Sequence, residues 1–182
     1  MKHATRFVSR VKQVINLREY RDSDVKRLQS LANNENVAKY MTSVFPSPYT
    51  HEDARWWLST GCKSGIVRAI EYDGEFVGSV GGNVKTDERS RTAAVGYWIG
   101  EPYWGKGIAS AALKLFSQQL FASTDLLRLE ASICGPNSAS MRAAEKAGFE
   151  KEAVLRNALF IDDTVYDEHI YSMLSENANE SS

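Results

Sequence analysis

Between residues 97 and 109 the chain reads Tyr-Trp-Ile-Gly-Glu-Pro-Tyr-Trp-Gly-Lys-Gly-Ile-Ala. An alternating apolar stretch ends at Ile99, three glycines follow at 100, 105 and 107, and a helical apolar stripe starts at Ile108. The first turn of a helix leaves backbone N–H groups unpaired and carries partial positive charge. Glycines ahead of it let the main chain approach an anion closely, so the segment predicts a phosphate cradle. Three readings compete. A triphosphate loop, GxxxxGK followed by Ser or Thr, takes Gly100, Gly105 and Lys106, but Gly107 stands where a hydroxyl would hold magnesium, and Glu101 sits badly beside phosphates. A dinucleotide fingerprint, GxGxxG, takes Gly105 and Gly107 but meets Ser110 at its third glycine. The third reading is a tight strand-to-helix turn with no ligand.

The wider context bears on the choice. The segment resembles the pyrophosphate loop of the GCN5-related N-acetyltransferase (GNAT) family, Gln/Arg-x-x-Gly-x-Gly/Ala, with Trp104 in the first place, Gly107 as the glycine and Ala109 last. Trp104 departs from the usual Gln or Arg, but the family's loop ligands are mostly backbone amides. Asn137-Ser138-Ala139-Ser140 with Ala147-Gly148-Phe149, and then Tyr166-Asp167-Glu168, resemble blocks of the ribosomal-protein alanine and serine acetyltransferase branch. The resemblance spans about residues 14 to 174.

That resemblance implies transfer of acetyl from acetyl-coenzyme A to a primary amine by direct attack in a ternary complex. A protein N-terminal α-amine is the implied acceptor; a polyamine, an amino acid or a drug-like amine stays open. It further implies that backbone around Trp98, Ile99 and Gly100 holds the pantetheine arm. Trp104, Gly105, Lys106, Gly107, Ile108 and Ala109 would grip the pyrophosphate, and Asn137 would bond the coenzyme while capping its own helix. Ser140 would serve as acid to the leaving thiolate. Three departures weaken the proton chemistry: Ala94, Leu159 and Ala144 stand where relatives carry two glutamates and a tyrosine. For a base there remain Glu130, Asp167 and Glu101, and we expect proximity and backbone polarisation to supply most of the acceleration. Two rivals follow: a coenzyme-binding module without turnover, and a nucleotide-binding domain using the Gly100–Gly107 loop. The acceptor is expected near the Met41–Thr60 segment, walled by Phe45, Tyr49, Trp56 and Trp57, with Asp162, Asp163, Asp167 and Glu168 attracting a cation.

These residues must be held by elements whose patterns are legible. Residues 14–17 read as a strand, and Ser23 can cap a helix presenting Val25, Leu28, Leu31 and Ala32. Asn34 or Asn36 opens a short helix ending near Met41. Thr50 to Asp53 reads as a capping box for a helix to about Ser59. Strands 66–72 and 76–84 flank Asp73-Gly74, a hairpin signal. A strand at 92–99 carries Ala93, Val95, Tyr97 and Ile99 on one face. A helix at 108–121 presents Ile108, Ala112, Leu115, Phe116 and Leu120. A strand at 127–134, a helix from Asn137 to Ala147 stopped by Gly148, and strands 153–161 and 165–173 complete the chain. The order predicts a GNAT-like mixed α+β fold: a central twisted, mostly antiparallel sheet, a parallel splayed strand pair and flanking helices.

The 182 residues suit one domain with a core at about 14–174, a basic arm at 1–13 and a disordered tail at 175–182. With 43% hydrophobic and 25% charged residues, the chain can bury a core without a staple. A net charge of −1 does not imply a nucleic-acid or membrane surface. Cys62 and Cys134 form no CxxC pair and His3, His51 and His169 have no zinc spacing, so neither disulfides nor a metal are expected, and a cytoplasmic setting fits. No signal peptide or spanning run is evident. A monomer and a homodimer both remain open.

Overall fold

The structure, a computed structural model, describes residues 14–176; residues 1–13, with the basic arm, and 177–182 lie outside the described residues. In chain order the elements are β1 (Ile15–Arg18), α1 (Val25–Ala32), α2 (Glu35–Ala38), α3 (His51–Ser59), β2 (Ile66–Tyr72), β3 (Glu75–Val84), β4 (Thr92–Ile99), α4 (Ile108–Ser123), β5 (Arg128–Cys134), α5 (Ser138–Ala147), β6 (Glu150–Ile161) and β7 (Thr164–Leu174). Among the described residues they build one seven-stranded sheet in the order β1-β2-β3-β4-β5-β7-β6. Every neighbouring pair is antiparallel except β4 and β5, which run parallel because α4 carries the chain back between them. This is the mixed sheet that the order of elements predicts.

Alternation along the strands divides the core in two. Val77, Ala93, Val95, Ile99, Leu129, Ala131 and Ile133 pack beneath α4 and α5, against Ile108, Phe116, Leu120 and Ala144. On the other face Ala69 and Phe76 meet Leu28, Ala32 and Ala54 of α1 and α3, with Trp98 packed alongside. The α4 stripe is Ile108, Ala112, Leu113, Phe116 and Leu120; Leu113 is fully buried where Leu115 is only half-buried.

Local signals hold where the partner is local. Asp73 and Gly74 turn with φ of 50° and 84°. Thr50 accepts from the Asp53 N–H at 3.2 Å and Asp53 accepts from the Thr50 N–H at 2.7 Å. Asn34 caps α2 through the N–H groups of Asn36 and Val37, and α2 ends at Ala38 rather than near Met41. Ser23 does not cap α1. A 3₁₀ turn over Asp22–Asp24 precedes the helix, and the Asp24 carboxylate accepts from the Arg21 N–H at 2.8 Å. Arg18 on β1 holds that carboxylate bidentately at 2.7 and 2.9 Å and reaches Glu71 on β2 at 2.5 Å. Arg18 and Asp24 are nearly enclosed, with side chains 10% and 6% exposed. β6 starts at Glu150, three residues earlier than its apolar pattern suggests, and its pairing with β7 is interrupted at 151–153 and 155–159. Ser175, expected in the tail, is buried, and its N–H donates to the Leu127 carbonyl at 2.9 Å.

Candidate active site

The parallel ladder stops short. Thr92, Ala93 and Ala94 pair with Arg128, Leu129 and Glu130, but no pair follows although the strands run on to Ile99 and Cys134. Beyond that point β4 stays with β3, through Gly78↔Ile99 and the Gly100 N–H to the Val77 carbonyl at 2.8 Å. β5 stays with β7 as far as Cys134↔Glu168. Main-chain groups of residues 95–99 and 131–134 therefore face each other across a gap with no strand partner. Backbone polar groups demand partners, and an extended ligand laid in such a gap supplies them as an added strand would.

The loop at the open end is fixed by its own turn, in which the Tyr103 and Trp104 N–H groups donate to the Gly100 and Glu101 carbonyls at 2.9 and 3.1 Å, and by side-chain contacts that leave the amides from Gly105 to Ser110 without acceptors among the described residues. Gly100 lies so close to α1 that a Cβ there would stand 2.8 Å from Leu31 Cδ2. The Glu101 carboxylate accepts from Asn34 Nδ2 at 2.6 Å and Asn36 Nδ2 at 2.8 Å, which ties the turn to α2. The Trp104 indole N–H donates to the Ile99 carbonyl at 2.6 Å, strapping the loop across its base. Gly105 and Gly107 both take φ of 75°, a left-handed conformation natural to glycine, and a Cβ on either would meet nothing within 4 Å. No side chain caps α4. Ser110 Oγ and the Ala111 N–H both use the Gly107 carbonyl, and the N–H groups of Ile108, Ala109 and Ser110 have no acceptor among the described residues. The Lys106 ammonium lies 5.1 Å from the Tyr103 ring centroid beside them. The geometry suits an anion held by main chain.

The far wall is α5. Asn137 caps it, accepting from the Ser140 N–H at 3.1 Å, which leaves the Ser140 hydroxyl outside the cap. Tyr97 reaches from β4 and donates its hydroxyl to the Ser140 carbonyl at 2.9 Å. Burial pushes the Tyr97 phenol up, so it remains a neutral donor. In the sequence Tyr97 falls on the apolar face with Ala93, Val95 and Ile99. The signal available was a hydroxyl in an otherwise aliphatic stripe, which needs a partner when buried.

The two carboxylates expected near the chemistry lie on opposite faces. Glu130 shares the α1–α3 face with Ala94 and is paired with Lys85, the residue after β3, and with Arg128 at 2.7 Å. Burial works against its charge, but the Lys85 and Arg128 partners outweigh that and hold the carboxyl below its ordinary range. Arg128 also binds Glu152 on β6. Asp167 points to the α5 face, where its Oδ1 accepts the Asn157 N–H at 2.9 Å and fixes the irregular middle of β6. Glu101, tied to α2, stands apart from both. Glu168, next in sequence to Asp167, returns to the face of Glu130 and accepts a hydrogen bond from the Ser132 hydroxyl.

Of the expected acceptor walls, Phe45 and Tyr49 pack together with their rings 5.2 Å apart, Phe45 is 6.1 Å from Trp98 of β4, and Tyr49 is buried in the α1–α3 core. Trp57 packs against Tyr20 instead, and Trp56 is 59% exposed on the outer face of α3. Asp162 and Asp163 form the β6–β7 turn with φ of 46° and 58°. Among the described residues no group of three or more His, Cys, Asp or Glu could hold a metal ion, and no helix is long and apolar enough to cross a membrane.

Comparison with known proteins agrees with this geometry. The acetyltransferase (GNAT) domain profile matches residues 15–150. The chain is 28% identical over 155 residues to the Bacillus subtilis (strain 168) protein named "Uncharacterized N-acetyltransferase YoaA", covering 85% of this chain and 83% of that protein. It is 30% identical over 105 residues to the ribosomal-protein-serine acetyltransferase of Escherichia coli (strain K12), covering 58% of each. The solved structure of Mycobacterium smegmatis RimJ in complex with CoA-disulfide superposes with a TM-score of 0.78 at 25% identity, over 90% of this chain and 83% of that one. With its interrupted β4–β5 ladder, its uncapped glycine loop and a profile matched over most of its length, the chain belongs to the GNAT acetyltransferase family and is an acetyl-CoA-dependent N-acetyltransferase.

Proposed function

We propose that the protein acetylates the N-terminal α-amine of a protein. The observation that carries this reading is the exposed floor of the gap. Ala94, Gly96 and Ser132 lie in the middle of the sheet yet are open to solvent on the face that α4 and α5 do not cover. A chain end can reach the gap there without threading a tunnel. The likeness to an acetyltransferase of a ribosomal protein supports the same acceptor class.

In this reading the backbone of Trp98, Ile99 and Gly100 holds the pantetheine arm and residues 104–109 hold the diphosphate. Asn137 adds a contact from the far wall. Thioester and amine are thereby brought together, which supplies most of the acceleration. An α-amine suits a site short of strong bases: with a pKa of about 8, roughly a tenth is neutral at pH 7, against less than about a thousandth of a lysine at about 10.4. Ser140, with its hydroxyl free of the cap, protonates the departing thiolate. Glu130, clamped by two cations, and Asp167, engaged by Asn157, are structural in this reading.

Thiol release from acetyl-CoA tests the acceptor. Peptides with a free α-amine are expected to turn over, while α-blocked lysine peptides, free amino acids and spermidine are not. Faster release with spermidine or lysine overturns the acceptor. Tight acetyl-CoA binding with no release from any amine makes the protein a coenzyme-binding module instead.

A further inference from the structure

The charges along the floor of the gap are not equivalent. Lys85, Glu130, Arg128 and Glu152 form one chain of ion pairs at the closed end, where the β4–β5 ladder is still formed. Glu168 belongs to no ion pair among the described residues. Its side-chain partner is a neutral hydroxyl, Ser132 Oγ, which donates to Oε1. Register fixes where this carboxylate stands. Glu168 is opposite Cys134 on β5, on the same face as Ser132 and Glu130. Continuing the offset of the three observed β4–β5 pairs sets Gly96 across the gap from Ser132 and Trp98 across from Cys134. Nothing lies within 4 Å of a Cβ built on Gly96, so the space over that position is open, and Ser132 is exposed.

We infer that Glu168 receives the acceptor's ammonium group and takes its proton, with Ser132 as the residue that positions it; this rests on the acetyltransferase reading above. An unpaired half-buried carboxylate beside an open gap suits a cation. The balance is complete. The ammonium gives one proton to Glu168, and its nitrogen attacks the thioester carbon. The C–N bond forms, the C–S bond breaks, and the second nitrogen-bound proton is matched by the one delivered to the thiolate. Glu168 then returns its proton to water. Asp167 could not do this, because it faces α5 and holds Asn157.

Steady-state thiol release by the full chain, using a free α-amine peptide chosen from the panel above, tests the assignment. Glu168→Gln is expected to raise the KM for the peptide and lower its kcat/KM by roughly tenfold or more. The KM and Kd for acetyl-CoA should stay within about twofold, since the carboxylate is not placed to touch the coenzyme. Glu168→Asp should recover part of the loss and Ser132→Ala should reproduce a smaller one. If Glu168→Gln keeps wild-type kcat/KM for the peptide, the inference is wrong while the acetyltransferase reading stands. If the loss falls equally on acetyl-CoA binding, Glu168 is structural and the inference is again overturned. A wild-type protein that binds acetyl-CoA but acetylates no amine overturns both.

Discussion

The Tyr97 hydroxyl on β4 donates to the Ser140 carbonyl on α5 at 2.9 Å, bridging the two walls of a gap in which the strands themselves no longer pair. One phenol thus sets the position of the serine proposed as acid. Tyr97→Phe keeps the ring in the core and removes the tie. It is expected to cost about 1 kcal/mol of stability and to lower kcat without raising the KM for acetyl-CoA. The double variant with Ser140→Ala should lose little more than either single one, because both act on the same group. Additive losses would separate Tyr97 from Ser140.

Ser140→Ala itself should lower turnover while leaving thermal stability unchanged. The α5 cap uses the Ser140 backbone N–H, which alanine retains. Asn137→Ala, by contrast, removes the cap and should cost about 1 kcal/mol. A denaturation series with the two variants side by side checks this; unchanged turnover in Ser140→Ala contradicts its assignment.

Gly107→Ala puts a Cβ on a residue at φ of 75° in otherwise empty space. Strain of about 1–2 kcal/mol is expected in the loop, and acetyl-CoA affinity should fall at least about tenfold as the amides turn away (about 1.4 kcal/mol). Calorimetry reads the affinity and circular dichroism the retained fold.

Acid should loosen the closed end of the gap. Glu130 and Glu152 are both held below the ordinary 4.5, Glu152 at about 2 beneath the Arg128 fork. A carboxyl depressed by folding binds protons less readily than in the unfolded chain. Its contribution is therefore complete above pH 4.5 and is lost as pH falls from there towards 2. Glu130→Gln with Glu152→Gln should lower stability at neutral pH and flatten its decline over that window. A decline as steep as the wild type's would place the acid sensitivity elsewhere.

How far the sequence could be read depended on the distance to each partner. The Asp73-Gly74 hairpin, the Thr50 box, the Asn34 and Asn137 caps and the uncapped glycine loop are set by residues within a few positions of one another, and all are visible as strings. The Asp24 turn replaces the expected Ser23 cap because the Asp24 carboxylate is shared between the nearby Arg21 N–H and the Arg18 guanidinium on β1, a pairing that only the packing of β1 against the turn brings about. The ion pair of Glu130 with Lys85 is not legible in the sequence because the two lie 45 positions apart. The faces of Asp167 and Glu168 follow from alternation once the strand is known. Which face opens on the gap does not, because it depends on where α1, α3, α4 and α5 pack. The end of the β4–β5 ladder at Ala94 carries no local mark at all, since both strands keep their apolar alternation well past it.

Main-chain amides from Gly105 to Ala109 and the unpaired edges of β4 and β5 are the proposed acetyl-CoA site. A crystal structure of the protein with acetyl-CoA tests it most directly. The diphosphate is expected on the first turn of α4 and the pantetheine between residues 95–99 and 131–134. A coenzyme bound elsewhere, with that gap closed by side chains, would contradict it.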